Sequence, residues 1–163
     1  MTEKSARIIP PGSYPQMLSR ADAARAMRTL RAPETAARAA LVMENSRPAL
    51  RAAVLALVAS MEQAGADMAR VHETVREIRG MAETAGLAST GRIAEVLCRY
   101  MDDMARIGHP PDQTITALHV SAIARAARAE KDDARMGERV AAELAALVSR
   151  KLTEARGGPG AQP

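Results

Sequence analysis

Apolar positions along this chain recur at spacings of three and four in several separate runs. The clearest run is Met68, Val71, Val75, Ile78, Ala82 and Ala85, a single seam along a helix that Asp67 caps and Gly86 ends. The next, Ile93, Leu97, Tyr100, Met104 and Ile107, predicts a helix over 89–107 with Ser89 or Thr90 as N-cap. Gly108 terminates it, and Pro110-Pro111 prevents continuation. Asp112 then caps a run bearing Ile115, Leu118, Ala122 and Ala126. The charged stretch Glu130-Lys131-Asp132-Asp133 and Gly137 are candidate interruptions, after which Val140, Leu144, Leu147 and Leu152 resume the pattern. On sequence alone, 112–155 is one helix or two.

Upstream, the pattern predicts helices over about 16–31 and 33–45, with Pro33 in the opening turn of the second. Ser46 reads as the N-cap of a further helix reaching about Gln63, with Pro48 in its first turn. Gly65-Ala66-Asp67 separates that helix from the seam at Met68. Residues 1–15 and 156–163 are expected to be disordered, which leaves 16–155 as a single helical domain. Short connections favour antiparallel neighbours. The expected fold class is therefore all-α: an antiparallel four-helix bundle with extra N-terminal helices and a long C-terminal helical region.

Composition sharpens this picture. The 163 residues include no Phe, no Trp and only Tyr14 and Tyr100 as aromatic side chains. Core volume must come from Leu, Ile, Val, Met and abundant Ala, which favours helices and close helix approach. The longest apolar stretch, Ala52 to Ala59, is too short to span a bilayer. No apolar leader precedes Ser13, and Cys98 is the only cysteine, so a cytoplasmic location is expected.

Charge is unevenly spread. Residues 1–47 carry 8 basic and 4 acidic side chains, whereas 48–163 carry 15 of each, so the whole net charge of +4 lies in the N-terminal arm. Arg20, Arg25, Arg28, Arg31 and Arg38 are consistent with a phosphate or anionic-lipid footprint, the plainer reading being a solvated helix face. No aromatic residue interleaves these arginines for base stacking, so nucleic acid is the weakest partner class.

Conventional catalytic motifs fail one by one. His72-Glu73-Thr74-Val75-Arg76 has a zincin-like start, but Arg76 stands at the second ligand position and a guanidinium does not bind zinc. His109 and His119 lack metal-ligand spacing, and no metal or other cofactor is expected. Cys98 fits a small core residue of an amphipathic helix. Asp102-Asp103 and Asp132-Asp133 are adjacent pairs that diverge around a helix. No conventional enzyme emerges.

One constellation remains, Arg76-Glu77-Ile78-Arg79-Gly80 followed by Gly86. It resembles the signature of histidine-phosphotransfer (HPt) domains, His-x-Leu-Lys-Gly, then five residues, then Gly. Ile78 stands for the Leu, Arg79 for the Lys, and Gly80 and Gly86 for the glycines. Gly65-Ala66-Asp67 and Glu95-Val96-Leu97-Cys98-Arg99 extend the resemblance over roughly residues 40–125. The departure is at the phosphoacceptor, where Arg76 replaces His and carries no nucleophilic nitrogen. The resemblance implies a four-helix bundle that binds receiver domains of response regulators. His72, Arg76, Arg79, Gly80 and Glu83 would form the contact surface, without phosphotransfer at the usual position. Two alternatives stay open: an active relay in which His72, one turn earlier, accepts the phosphoryl group, and a helical scaffold that associates with further copies of itself.

Overall fold

A computed structural model describes residues 19–157. They form six helices: α1 (Arg20–Arg31), α2 (Pro33–Ala64), α3 (Met68–Ala82), α4 (Ala88–Arg106), α5 (Gln113–Arg128) and α6 (Ala134–Gly157). No strand occurs among the described residues, so the fold is all-α. None of these helices is long and apolar enough to cross a membrane. Residues 1–15, expected to be disordered, lie outside the described residues, as do 158–163; α6 itself runs two residues into the expected tail. The chain groups into two compact units, Met1–Val42 and Met43–Pro163.

In the first unit, α1 begins four residues later than the periodicity suggests, and residues 16–18 are not among those described. Ser19 is the cap: its hydroxyl oxygen accepts from the Asp22 amide at 3.1 Å. The Thr35 hydroxyl donates to the Thr29 carbonyl at 2.8 Å, joining the two helix ends around Ala32.

The helices expected over 33–45 and 46–63 are one continuous helix, α2, with Ser46 and Pro48 in its interior. Proline there removes one intrahelical hydrogen bond and costs roughly 3 kcal/mol. Strong helix formers on both sides and anchoring of the C-terminal part through buried Val54, Val58 and Met61 outweigh that penalty.

The second unit is organised around α4. Ten of its nineteen residues are buried, including Ile93, Leu97, Tyr100 and Met104 of the expected seam, and α3, α5 and α6 all pack against it. The α3 seam also faces inward, with Val71, Val75, Ile78 and Ala82 buried. Alanines fill the space aromatic side chains would otherwise occupy: Ala82, Ala94, Ala124, Ala127 and Ala141 are all buried.

Between α3 and α4, Gly86 adopts φ +73° and the Leu87 amide donates to the Ala82 carbonyl at 2.8 Å. Neither Ser89 nor Thr90 caps α4. The cap position is Leu87, whose side chain accepts nothing, and the Ser89 amide instead donates to the Asp132 carboxylate at 3.1 Å. The Ser89 hydroxyl donates to the Asp133 carbonyl at 2.8 Å. Helix is interrupted at 129–133, so 112–155 holds two helices, and Gly137 lies inside α6 against Ser89.

In α5 the inward face differs from the expected seam. Leu118 is 48% exposed, while Thr116, His119, Ile123 and Ala127 are buried. Asp112 caps α5 as expected, accepting from the Thr114 and Ile115 amides. The Tyr100 hydroxyl accepts from the Asp112 amide at 2.8 Å, and Lys151 of α6 approaches the Asp112 carboxylate at 3.2 Å.

Candidate docking site on α3

Of the HPt-like segment, Arg76 to Gly80 lie on α3, whereas Gly86 falls in the turn that follows the C-cap Glu83. Asp67 accepts from the Arg70 amide at 3.1 Å, and the Thr74 hydroxyl folds back onto the Arg70 carbonyl at 2.8 Å. The helical repeat places His72, Arg76, Arg79, Gly80 and Glu83 within about one third of the circumference, beside the buried seam. Ile78 is fully buried, whereas Arg76, Arg79, Gly80 and Glu83 are exposed. A Cβ added at Gly80 meets nothing within 4 Å, so the surface there is open to an approaching molecule.

Neither Arg76 nor Arg79 engages an ion pair among the described residues. Both guanidiniums act on the thiol of Cys98 in α4, which lies fully buried beneath this face. Burial pushes that thiol up, Arg79 and Arg76 oppose the rise, and Asp102 and Glu95 add to it. A fully buried thiol held protonated is a packing group and no ready nucleophile.

His72 is the residue the structure treats most differently from its neighbours. It is half-buried, and its Nε2 stands 3.0 Å from Asp102 Oδ1 on α4. The distance is that of an ion pair, but the angles do not make a hydrogen bond, and Nε2 has essentially no surface open to solvent. Asp103, next in sequence, turns away to Arg106 at 2.9 Å. The adjacent carboxylates therefore do diverge, yet one of them meets the histidine across the helix pair. Beside this face, Glu95 bridges Arg92 and Arg99, and Arg92 reaches Glu138 on α6 at 2.9 Å.

His119 is a group that sequence spacing did not single out. It is fully buried, its ring lies nearly parallel to Tyr100 with centroids 6.4 Å apart, and Nδ1 meets the Ile115 carbonyl at 2.8 Å. Nε2 has no partner. Burial pushes its pKa down, and the Ile115 contact opposes the shift. Its position one helical turn after Ile115 and one before Ile123 was the available signal.

Surface cavities elsewhere in the second unit include two that α5 helps to line. One, of about 590 Å³, lies between α5 and the 61–68 region beside the Glu62–Arg128 ion pair. The other, of about 430 Å³, lies among α4, α5 and the start of α6. No cluster of three metal-ligating side chains occurs among the described residues. No protein-family model, curated protein or solved structure matches this chain.

Proposed function

We propose that the second unit is an HPt-like docking domain for receiver domains of response regulators, one that does not relay phosphate through the usual position. The observation that carries this reading is the partition of the motif. Its apolar position, Ile78, is buried, while its basic and glycine positions, Arg76, Arg79 and Gly80, share one open face. Two guanidiniums without carboxylate partners among the described residues suit the acidic phosphorylation pocket that the family resemblance implies for receivers. Gly80 leaves that approach unobstructed. Arg76 supplies charge at the site where a phosphoacceptor would supply an imidazole.

Titration of receiver domains from the same host against the intact chain tests this. Arg79→Glu should weaken binding at least tenfold, about 1.4 kcal/mol, with the helical circular dichroism unchanged. Equal affinity for parent and variant would place the interface elsewhere.

The alternative relay through His72 meets a specific obstacle, since Asp102 covers Nε2, one of the two ring nitrogens that could attack. If that relay operates, Asp102→Ala should increase phosphate uptake by freeing the imidazole.

A further inference from the structure

The basic excess of the chain falls on a surface that the α3 site does not use. None of the twelve residues of α1 is buried. At about 100° per residue, Ala23, Ala26, Met27 and Leu30 fall on one arc of the helix. Arg20 and Arg31 border one edge of that arc and Asp22 the other, while Arg25 and Arg28 lie on the far side. Met27 is 47% exposed and Leu30 65%. Arg25 stands 3.7 Å from Asp22, and no other arginine of α1 engages an ion pair among the described residues. Arg38, in the same unit, likewise has no ion pair among the described residues. From Arg20 to Val42 five arginines face two acidic residues, Asp22 and Glu34, a net charge of +3.

Unneutralised arginines attract any polyanion, so the apolar arc decides among partners. Nucleic acid draws nothing from exposed Met27 and Leu30, and no aromatic residue occurs between Arg20 and Arg47 on which a base would stack. An acidic protein surface matches the guanidiniums but not the adjoining apolar strip. An anionic bilayer uses both: phosphate headgroups receive the guanidiniums, whose stems lie along the interface, while Met27 and Leu30 enter the acyl boundary. We propose that α1 is a peripheral anchor for membranes rich in anionic phospholipid. With two large apolar side chains on a short helix, the attachment is reversible and weakened by salt. It is independent of the docking face on α3.

The test is co-sedimentation of the full chain with phosphatidylcholine vesicles, with and without phosphatidylglycerol. Binding should require phosphatidylglycerol and fall as salt rises. Arg20→Ala with Arg31→Ala should reduce partitioning about 30-fold, the effect of removing two interfacial charges. Leu30→Ser removes no charge and, at an exposed position, should leave the helical signal intact; it should also release the protein from vesicles. A parallel titration with duplex DNA separates lipid from nucleic acid. The proposal is overturned if anionic vesicles bind no protein at low salt, or if Leu30→Ser binds them as tightly as the parent. It is also overturned if DNA binds more tightly than vesicles, or if Leu30→Ser only abolishes self-association.

Discussion

Replacing Gly137 with alanine pits two opposing effects against each other in one methyl group. In an unconstrained helix interior, Gly→Ala stabilises by about 1 kcal/mol, because alanine loses less backbone entropy. Here the added Cβ would stand 2.5 Å from both Cβ and Oγ of Ser89 and 2.7 Å from its Cα. A Cα cannot rotate aside, so α6 or the start of α4 must move by nearly 1 Å. Ser89 is itself held, through its amide to Asp132 and its hydroxyl to the Asp133 carbonyl. Overpacking of this kind costs roughly 1–3 kcal/mol, and losing either Ser89 hydrogen bond adds about 0.5–1.5 kcal/mol. The clash outweighs the propensity gain. Gly137→Ala should destabilise by about 1–3 kcal/mol, or roughly 2–12 °C in Tm for a chain of this size. Thermal melts followed at 222 nm measure it. Ser89→Gly in the same background should recover part of the loss, because Cβ and Oγ vanish while Cα remains. If Gly137→Ala melts at or above the parent temperature, α6 does not approach α4 here, and the packing described around α4 is wrong.

Three other outcomes follow from the same structure. His119 is held neutral by burial, so its folded pKa lies below the unfolded value of about 6.5, and its contribution to stability is complete above that pH. As pH falls from about 6.5 toward the folded value, the unfolding free energy from urea melts should decline by at most about 1.4 kcal/mol per pH unit; a profile equally steep in His119→Met would assign the effect to another group. Ile78→Asp should unfold the second unit, because an unpaired core carboxylate costs several kcal/mol, the scale of total stability. Retained helicity and an unchanged melt would refute the inward seam. Arg79→Glu, by contrast, should lower receiver affinity while the melt stays within about 0.5 kcal/mol of the parent.

Much of the helical plan is legible in the residues. The α3 and α4 seams face inward as the spacing predicts, because each presents one apolar stripe and its ends carry strong signals: Asp67, Gly86 and Gly108. The sequence misleads where a local preference is overridden from a distance. Pro48 marks a helix start by its own chemistry, yet buried Val54, Val58 and Met61 hold α2 straight through it in sequence. Ser89 is a good cap by type, but Asp132, 43 residues away, takes its amide. In α5 hydropathy ranks Leu118 above His119, whereas packing against Tyr100 buries the imidazole and turns the leucine outward. The Asp102 contact with His72 joins two helices and has no periodic signature in either. The five residues proposed as a docking face were singled out by the HPt-like motif, and helical spacing puts them on one side of α3.

Receiver docking without phosphate relay is tested most directly by restoring the residue the motif lacks. Arg76 is exposed beside Arg79, so Arg76→His places an imidazole where a phosphorylated receiver can approach. In the transfer, the aspartyl P–O bond breaks as a ring nitrogen forms the new N–P bond. The measurement incubates parent and variant with a phosphorylated receiver and follows acid-labile, base-stable phosphate on each. Arg76→His should acquire it and the parent should not. Full-rate labelling of the parent that His72→Ala abolishes would contradict the account in favour of an active relay, and an inert Arg76→His against every receiver that binds would contradict the HPt-like reading itself.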